Sequence, residues 1–255
     1  MKAEHRAIAI LGMHRSGTSL AAQIMTALGV WFGNEGEMLP ADPTNPDGFF
    51  ERLDIWRTQE ALLNALHMSW FQPRIPPPGW TVSQAAQPFR AQLGKIIDGA
   101  FAGREIWGWK DPRSMILLPL WRELLAERGI ALSAVFIVRN PLDVAKSLER
   151  RNRVPIQAGL NLWQFYNQCG LTVAEGLPMA YLSFDRLLED WRPAVRTVAD
   201  QLGLPAPDAQ TAATIGAMIK PAYRHSRASD GKLRKMFGNS QGVALYEQLL
   251  RRTAG

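Results

Sequence analysis

The sequence predicts an α/β fold with three layers, in which helices cover both faces of a central parallel sheet. Four short apolar runs, at residues 7–11, 105–109, 134–138 and 179–184, have the length and composition of buried strands. Helical patterns lie between these runs, and the chain has no internal repeat of fixed period. Strands that alternate with helices pair in parallel, because each helix returns the chain across the sheet before the next strand begins. The alternation therefore favours a three-layer α/β/α arrangement.

The first helices are predicted from apolar spacing and from residues that favour helix ends. Residues 19–28 carry leucine or isoleucine at every fourth position, which makes one face apolar, and Gly29 follows as a stop signal. Residues 141–150 begin with Pro141, whose fixed φ suits the first helical position, behind Asn140, a residue type that caps helices. Each of these helices comes after a predicted strand, as the alternating pattern requires.

The remaining segments are less regular. Residues 185–203 have a helical pattern, with a break or restart predicted at Pro193. Residues 40–48 and 72–80 are rich in proline and glycine and are predicted to be loops, because apolar helical segments flank them. Residues 220–235 are basic and irregular, and we interpret them as either a mobile flap or a solvated surface.

Length and composition indicate a single domain over residues 1–255, with residues 220–255 as a basic C-terminal segment. The apolar fraction of 47% is enough for a well-buried core, and the charged fraction of 20% contains no long run of one sign. The formal net charge of +6 suggests an anionic ligand or partner, either nucleic acid or a cofactor with several phosphates.

Cysteine usage and hydropathy restrict where the protein is expected to work. The single cysteine, Cys169, excludes an internal disulfide and a cysteine-based metal cluster, and it fits a reducing compartment. The N-terminal segment lacks the layout of a signal peptide, and no stretch reaches the ~18 continuous apolar residues of a membrane span. We therefore expect a cytoplasmic protein.

A glycine-rich loop follows the first predicted strand. Residues 12–19, with the sequence GMHRSGTS, carry both glycines and the final hydroxyl of the phosphate loop G-x-x-x-x-G-K-[ST]. Thr18 stands where that motif has lysine, and Arg15 stands three residues earlier. The N–H groups of such a turn, together with the positive end of the following helix, hold a phosphate without help from side chains. The fold is therefore predicted to be P-loop-like, with an anion site between the first strand and the first helix.

A second cation stands where a magnesium ligand is expected. In nucleotide triphosphatases the metal needs an acid at the end of a neighbouring strand, but the most apolar run, residues 134–138, is followed by Arg139. Ser147 lies in the second turn of the helix that begins at Pro141, where it can face the same ligand. A phosphate loop, a cation at a strand end and no evident magnesium ligand together predict a nucleotide with phosphates at two separate positions, used without a metal.

These segments resemble the sulfotransferases that use 3′-phosphoadenosine 5′-phosphosulfate. The loop GMHRSGTSL is similar to the segment that grips the 5′-phosphosulfate in that family, and VRNPLDVAKSLERR has the arginine and serine, eight residues apart, that grip the 3′-phosphate. The segment WKDPRSMILLP, residues 109–119, is similar to the KDP segment of tyrosylprotein sulfotransferases. The segments YLSFDRLLED and VADQLGLP are similar to a later region of the family, so that the resemblance covers roughly residues 7–205.

The resemblance implies roles for the loop and for the cations around it. Arg15, Thr18, Ser19 and the loop amides are assigned to the 5′-phosphate of the donor, whose product after transfer is adenosine 3′,5′-bisphosphate. Lys110 is assigned to the bridging or sulfuryl oxygens, with a salt bridge to a neighbouring carboxylate as the alternative. The donor-binding candidates are His14, Arg15, Ser16, Gly17, Thr18, Ser19, Arg139 and Ser147, and no metal is expected.

The acceptor hydroxyl or amine must lose a proton, so the site needs a base. Glu51, which follows a glycine-containing loop and opens a helical stretch, is the first candidate. Glu35 lies at the spacing where tyrosylprotein sulfotransferases place their catalytic glutamate, and Asp111 is the third candidate. We interpret His14 as lining the donor site and His67 as structural. The predicted catalytic set is Glu51, Glu35, Lys110 and Arg15.

The C-terminal part departs from the family pattern. Many cytosolic members close the 3′-phosphate site with RKGxxGDW, whereas residues 233–242 read LRKMFGNSQG, with Met236 in place of the first glycine. We therefore transfer no role to Arg234 or Lys235.

Aromatic residues crowd the region between the first helix and the second strand, and they predict an acceptor pocket with residues 72–80 as its lid. They are Trp31, Phe32, Phe49, Phe50, Trp70 and Trp80. The acceptor is predicted to be a small molecule, a glycan or a peptide. No motif supports a nucleic-acid partner, and the sequence does not decide the oligomeric state. Two rival functions follow from the same loop: a kinase or nucleotide hydrolase that needs Mg²⁺, and a nucleotide-binding protein without catalysis.

Overall fold

A computed structural model describes residues 5–41, 48–220, 230–237 and 240–253. Within these ranges the chain forms four strands, which are β1 (Arg6–Leu11), β2 (Ile106–Lys110), β3 (Ala131–Val138) and β4 (Met179–Ser183). All pairings are parallel, and the strand order in the sheet is β2-β1-β3-β4. The four predicted strands and the parallel sheet are thus confirmed, with boundaries that differ by one to three residues.

Helices connect the strands and pack on both faces of the sheet. They are α1 (Thr18–Ala27), α2 (Leu53–Ala65), α3 (Gln87–Ala100), α4 (Ser114–Ala126), α5 (Pro141–Asn152), α6 (Ile156–Val173), α7 (Phe184–Glu189), α8 (Trp191–Gln201), α9 (Ala209–Met218), α10 (Asp230–Phe237) and α11 (Ser240–Arg252). Short 3₁₀ turns cover Glu35–Glu37 and Trp80–Val82. None of the helices in the described ranges combines the length and the apolar content that a bilayer crossing requires.

The alternation of side chains along β1 divides the core into two halves. Ile8 and Ile10 point to one face, where they pack with α1, α7, α8 and α9. Ala7, Ala9 and Leu11 point to the other face, which is covered by α2 to α6 and by the C-terminal helices. Because successive residues of a strand face opposite sides, a strand buried on both sides is apolar at every position. That property is what makes these runs recognisable in the sequence.

The strand order determines which residues meet at the functional edge of the sheet. β1 lies between β2 and β3, and in the register of the sheet Ile10 pairs with Lys110 and Leu11 pairs with Phe136. The carboxyl ends of parallel strands lie at one edge, so the loop after β1 is flanked by Lys110 on one side and by Arg139 on the other.

The helical stretch that follows β4 breaks at a different residue from the one predicted. Asp190, not Pro193, separates α7 from α8, and its side chain accepts a hydrogen bond from the Arg192 N–H. Pro193 lies in the first turn of α8, where a missing N–H costs no helical hydrogen bond. The aspartate is therefore the stronger signal, because it caps the new helix.

The C-terminal segment is more ordered than its composition suggests. Residues 221–229, which carry much of the predicted flap, lie outside the described residues, as do residues 42–47 of the first proline-rich loop. The solvated-surface interpretation holds for one face of α10, where Arg234 and Lys235 are exposed. The other face packs into the core, because Leu233 and Phe237 are buried and the Phe237 ring contacts Trp163 edge-on.

Candidate active site

The loop between β1 and α1 has a backbone shape that depends on its second glycine. Gly17 has φ 91° and caps α1, and a methyl group added there would lie 2.2 Å from the Phe184 ring. Arg15 is also in the left-handed region, with φ 70°. The local geometry therefore needs a residue without a side chain at position 17, for both conformational and packing reasons. The phosphate-loop spacing in the sequence has this physical basis.

The start of α1 forms an anion cradle. The first N–H that bonds within the helix belongs to Ala21, which donates to the Gly17 carbonyl. The amides of Thr18, Ser19 and Leu20 precede it, at the positive end of the helix dipole. Thr18 and Ser19 also line the adjoining cavity. Such an arrangement binds a phosphate or a sulfate through backbone donors.

Three buried polar atoms around the loop have no hydrogen-bond partner within the described part of the chain. They are His14 Nε2, Ser16 Oγ and Arg139 Nε. Buried polar atoms are paired in nearly all native proteins. The three atoms therefore leave hydrogen-bonding capacity around the loop that a bound polar group can use.

Arg139 follows β3 and reaches across to the loop. Its Nη1 donates to the Arg15 carbonyl at 3.1 Å, and its guanidinium lies 4.3 Å from the centre of the Phe184 ring. The Arg139 carbonyl is held by the indole N–H of Trp163 at 3.1 Å. Burial lowers the pKa of Arg139 from its ordinary value, which means that the charge is only partly compensated by nearby carboxylates. An anion at this position would stabilise the charged guanidinium and so offset the cost of its burial.

Arg15 and Ser147 are joined directly. Arg15 Nε donates to Ser147 Oγ at 3.0 Å, which links the loop to the second turn of α5. Asn140 caps this helix by accepting a hydrogen bond from the Leu142 N–H, so the predicted start at Pro141 is confirmed. The predicted cations and hydroxyl thus form one group on the β3 side of the loop.

On the β2 side, Lys110 forms an ion pair with Glu51. Lys110 Nζ donates to Glu51 Oε1 at 2.6 Å, and both side chains are almost fully buried. Burial raises the pKa of Glu51 and nearby Asp111 raises it further, whereas Lys110 opposes the shift. The salt bridge that was the alternative role for Lys110 is present, and its partner is the first-ranked base candidate. Both residues line the same cavity as the loop.

A buried polar network supports the end of β2. Asp111 accepts a hydrogen bond of 2.8 Å from Gln59 Nε2, and it also pairs with Arg113 at 3.0 Å. The side-chain oxygen of Gln59, Oε1, in turn accepts hydrogen bonds from the Ser114 hydroxyl and from the indole N–H of Trp121. Asp111 is fully buried with these partners, so its contacts are those of a structural residue behind Lys110.

A cavity of about 530 Å³ is lined by the loop and by the two cations that flank it, Lys110 and Arg139. The phosphate loop with Arg15, Arg139 and Lys110 supplies polar and cationic groups to its lining. Aromatic and aliphatic side chains from the segments around α2, with one proline that follows β2, also line it. We call these the aromatic wall: Leu39, Pro40, Phe49, Trp56, Trp70 and Pro112. His14 contacts the Trp70 ring at 5.0 Å. Burial and the surrounding cations lower the pKa of His14 well below its ordinary value, so the imidazole is neutral.

Most of the predicted site residues lie together, with specific exceptions. The cavity wall includes His14, Arg15, Gly17, Thr18, Ser19, Glu51, Lys110 and Arg139. Ser16 belongs to the loop but does not line the cavity, and its N–H donates to the Met13 carbonyl. Ser147 also lies outside the cavity lining and contacts the loop through Arg15. Glu35 lies apart from them, since it is exposed on a 3₁₀ turn and does not line the cavity. His67 is exposed at the end of α2 and is also outside the cavity.

The aromatic residues predicted around an acceptor pocket occupy different places in the structure. Phe49 and Trp70 line the cavity, whereas Phe32 and Trp80 are buried in the core. Trp56, Arg113 and Arg151 are among the cavity-lining residues that sequence reasoning missed. Arg151 stands four residues after Ser147, so helical spacing offered a signal for it. Trp56 lies in the helical stretch that follows Glu51, and Arg113 lies in the segment WKDPRSMILLP, but neither pattern marked these two positions as cavity residues.

The cavity contains no evident metal site. No group of three or more histidine, cysteine, aspartate or glutamate side chains is placed to hold a metal ion in the described ranges. The cationic groups around the loop instead suit an anion.

No protein-family model matches the sequence, and no curated protein matches it. Three solved structures are similar in fold. The sulfotransferase domain of the Synechococcus PCC 7002 olefin synthase has a TM-score of 0.55 at 17% identity, covering 97% of this chain and 95% of that one. The sulfotransferase domain from the curacin biosynthetic pathway has a TM-score of 0.53 at 15% identity, covering 96% and 98%. Sulfotransferase STF1 from Mycobacterium tuberculosis H37Rv has a TM-score of 0.57 at 13% identity, covering 92% and 76%. The chain therefore has the three-layer α/β fold of these sulfotransferase structures.

Proposed function

We propose that this protein transfers a sulfuryl group from 3′-phosphoadenosine 5′-phosphosulfate to a hydroxyl or amine of an acceptor. One observation carries the proposal: the anion cradle after β1 is flanked by Lys110 and Arg139, which stand at the ends of the two neighbouring strands. That arrangement offers two separate cationic positions to one nucleotide. The shared fold of the sulfotransferase structures supports the same assignment.

The residues around the loop suit the two phosphorylated ends of this donor. The amides of Thr18 and Ser19 with Arg15 are assigned to the 5′-phosphosulfate. Arg139 and Ser147, on the β3 side, are assigned to the 3′-phosphate. The buried, unsatisfied Nε of Arg139 supports this assignment, because a phosphate oxygen is a suitable acceptor for it.

The chemistry needs fixed positive charge and a base. The donor supplies an activated sulfuryl group, and negative charge develops on the departing phosphate. Lys110, Arg15 and the loop amides stabilise that charge from positions fixed by the sheet edge, which removes much of the reorganisation cost. Glu51 is assigned as the base that takes the acceptor proton, since it is buried, lines the cavity and contacts Lys110.

The aromatic wall is assigned to the acceptor. Arg113 also lines this part of the cavity, but its charge is balanced by Asp111 and Glu60. The wall therefore favours an acceptor with a flat apolar body, and Arg151, which lies over the Phe49 ring, can face a polar group that such a body carries. Such a body occurs in small molecules and in peptide tyrosines, which narrows the acceptor classes that merit testing first.

Two measurements test the proposal against its rivals. Adenosine 3′,5′-bisphosphate should raise the thermal unfolding temperature without added metal, because a ligand that binds only the native state stabilises it. Donor labelled in the sulfuryl group should then label at least one member of a panel of phenols, sterols, sugars and tyrosine peptides. Stabilisation only by ATP with Mg²⁺, followed by ATP turnover, would favour the kinase or hydrolase. Nucleotide binding without transfer to any acceptor would favour the binding protein.

A further inference from the structure

Glu51 and Lys110 neutralise each other at the wall of the cavity. Their charged atoms are 2.6 Å apart, and the two side chains are 8% and 3% exposed, respectively. The carboxylate that we assign as the base is thus held by the cation that we assign to the donor. Glu51 and Lys110 both line the cavity. When the Lys110 ammonium turns to a phosphate or sulfuryl oxygen in that cavity, it therefore gives up part of its interaction with Glu51.

Resting on the proposed function, we propose that the donor nucleotide draws Lys110 away from Glu51 and thereby makes Glu51 a stronger base only when the donor is bound. The oxygens of the phosphosulfate compete with the carboxylate for the ammonium group. Loss of a neighbouring positive charge, and arrival of a negative one, both increase the affinity of a carboxylate for a proton. The ion pair therefore works as a lock that the donor opens.

The groups that face Glu51 give the direction of this effect. Burial and Asp111 raise the pKa of Glu51, with burial as the larger cause, whereas Lys110 and Arg113 lower it. Arg113 is already engaged with Asp111 at 3.0 Å and with Glu60, so it does not replace Lys110. When Lys110 turns away, the causes that raise the pKa dominate.

The proposed step transfers one proton to Glu51, and no other covalent bond forms or breaks. Glu51 takes a proton from solvent in a fraction of the loaded molecules, and a single O–H bond forms on its carboxylate. In the remaining molecules the carboxylate is free and more basic, ready to accept the proton of an acceptor hydroxyl. A base is most effective when its pKa lies near the working pH. By linkage, nucleotide affinity should increase as the pH falls, by at most about tenfold per pH unit for one proton.

Calorimetry with adenosine 3′,5′-bisphosphate tests the inference. Titrations in buffers of different ionisation enthalpy, from mildly acidic to mildly alkaline pH, give the number of protons taken up on binding. Wild type should take up more protons than Glu51→Gln. The ligand's own phosphates also exchange protons, but they do so in every variant, so the difference between variants reports the carboxylate.

Two further variants identify the proton acceptor. His14 lines the same cavity and is neutral, so an arriving anion can also protonate it. His14→Gln should keep the uptake seen in wild type, and so should Glu105→Gln, which alters an exposed glutamate just before β2. Loss of uptake in His14→Gln, with uptake retained in Glu51→Gln, would assign the proton to the imidazole and overturn the inference.

A measurement on the wild type alone keeps the inference testable if Glu51→Gln does not fold. The infrared difference spectrum between the free and nucleotide-bound protein should gain the C=O stretch of a protonated carboxylic acid. Binding without that band and without proton uptake would reject the lock but leave the proposed function in place. Absence of any nucleotide binding to the wild type would reject both.

Discussion

Arg15 Nε donates a hydrogen bond of 3.0 Å to Ser147 Oγ, although 132 positions separate the two residues in the sequence. The bond ties the loop after β1 to the helix after β3. Arg139 reinforces the same junction by donating to the Arg15 carbonyl. The two anion positions are therefore not independent pockets, because a single set of contacts fixes their separation. The proposed nucleotide, with phosphates on both sides of its ribose, matches a site of this kind.

Arg139→Ala should weaken the binding of adenosine 3′,5′-bisphosphate far more than that of its 3′-hydroxyl analogue. A hydrogen bond to a charged group contributes about 1.5–3 kcal/mol, which corresponds to roughly ten- to a hundredfold in the dissociation constant. Calorimetry with both nucleotides measures the difference. Arg196→Ala, an exposed arginine on α8 that does not line the cavity, is the matched control and should change neither value. Equal losses for the two nucleotides in Arg139→Ala would contradict the 3′-phosphate assignment.

Glu51→Gln should reduce kcat by about a hundredfold or more, because a positioned general base typically contributes a factor of 10²–10⁴. Glu35→Gln should cause no comparable loss, since Glu35 is exposed outside the cavity. Steady-state rates with labelled donor and a saturating acceptor separate the two glutamates. The reverse ranking would return Glu35 to the role of base.

The pH profile of the wild-type rate should show an acid limb above the usual range of a glutamate. Burial raises the pKa of Glu51, and a base works only when deprotonated, so activity should rise with pH through this raised pKa. Rates of wild type and Glu51→Gln across the pH range provide the comparison, and the limb should disappear in the variant. An unchanged limb in Glu51→Gln would mean that another group controls it.

Gly17→Ala should destabilise the protein more than Gly29→Ala. Both glycines have φ near 90°, so each alanine carries a left-handed penalty of about 1–2 kcal/mol. At Gly29 the added methyl group meets open space, whereas at Gly17 it meets the Phe184 ring. Overpacking should add about 1–3 kcal/mol at Gly17 alone. Denaturant unfolding of the two variants measures the difference, and similar losses would show that the loop adjusts to a side chain.

Deletion of residues 74–79 should raise the KM for the acceptor and leave the affinity for adenosine 3′,5′-bisphosphate unchanged. The segment begins just after Trp70, which lines the cavity and whose carbonyl accepts a hydrogen bond of 2.8 Å from Tyr166. Ile75 is 77% exposed, so the segment has little role in the core. Steady-state kinetics and nucleotide titration give the two readouts. Weaker nucleotide binding with an unchanged acceptor KM would place the segment over the donor.

The sheet was predictable because its strands are apolar on both faces and are followed by residues with strong local preferences. Gly17 and Asn140 are such residues, and the phosphate loop and the start of α5 follow from them. A salt bridge at Lys110 was considered from the sequence, but its partner Glu51 was not predictable, because the two residues are 59 positions apart and each has many possible neighbours. Gln59 gave no signal either, since its role depends on three partners that only the folded chain brings together.

The position of Glu35 illustrates the limit of inference from spacing. The distance along the chain from the phosphate loop suggested a catalytic glutamate, but the 3₁₀ turn that contains Glu35 directs it to solvent. Glu51 comes later, after a segment that passes the loop, where Ser19 Oγ donates to the Phe49 carbonyl at 3.2 Å. Tertiary contact, and not sequence distance, is therefore the ground on which we propose Glu51 as the base.

Two of the nine tryptophans, Trp56 and Trp70, stand on the aromatic wall of the cavity. Most of the others are buried in the core, where Trp109 and Trp121 stack 4.1 Å apart. The protein thus carries its own optical probes beside the proposed acceptor position. An acceptor that stacks there should alter the intrinsic fluorescence, and replacing Trp56 and Trp70 one at a time by phenylalanine would show which indole reports its arrival.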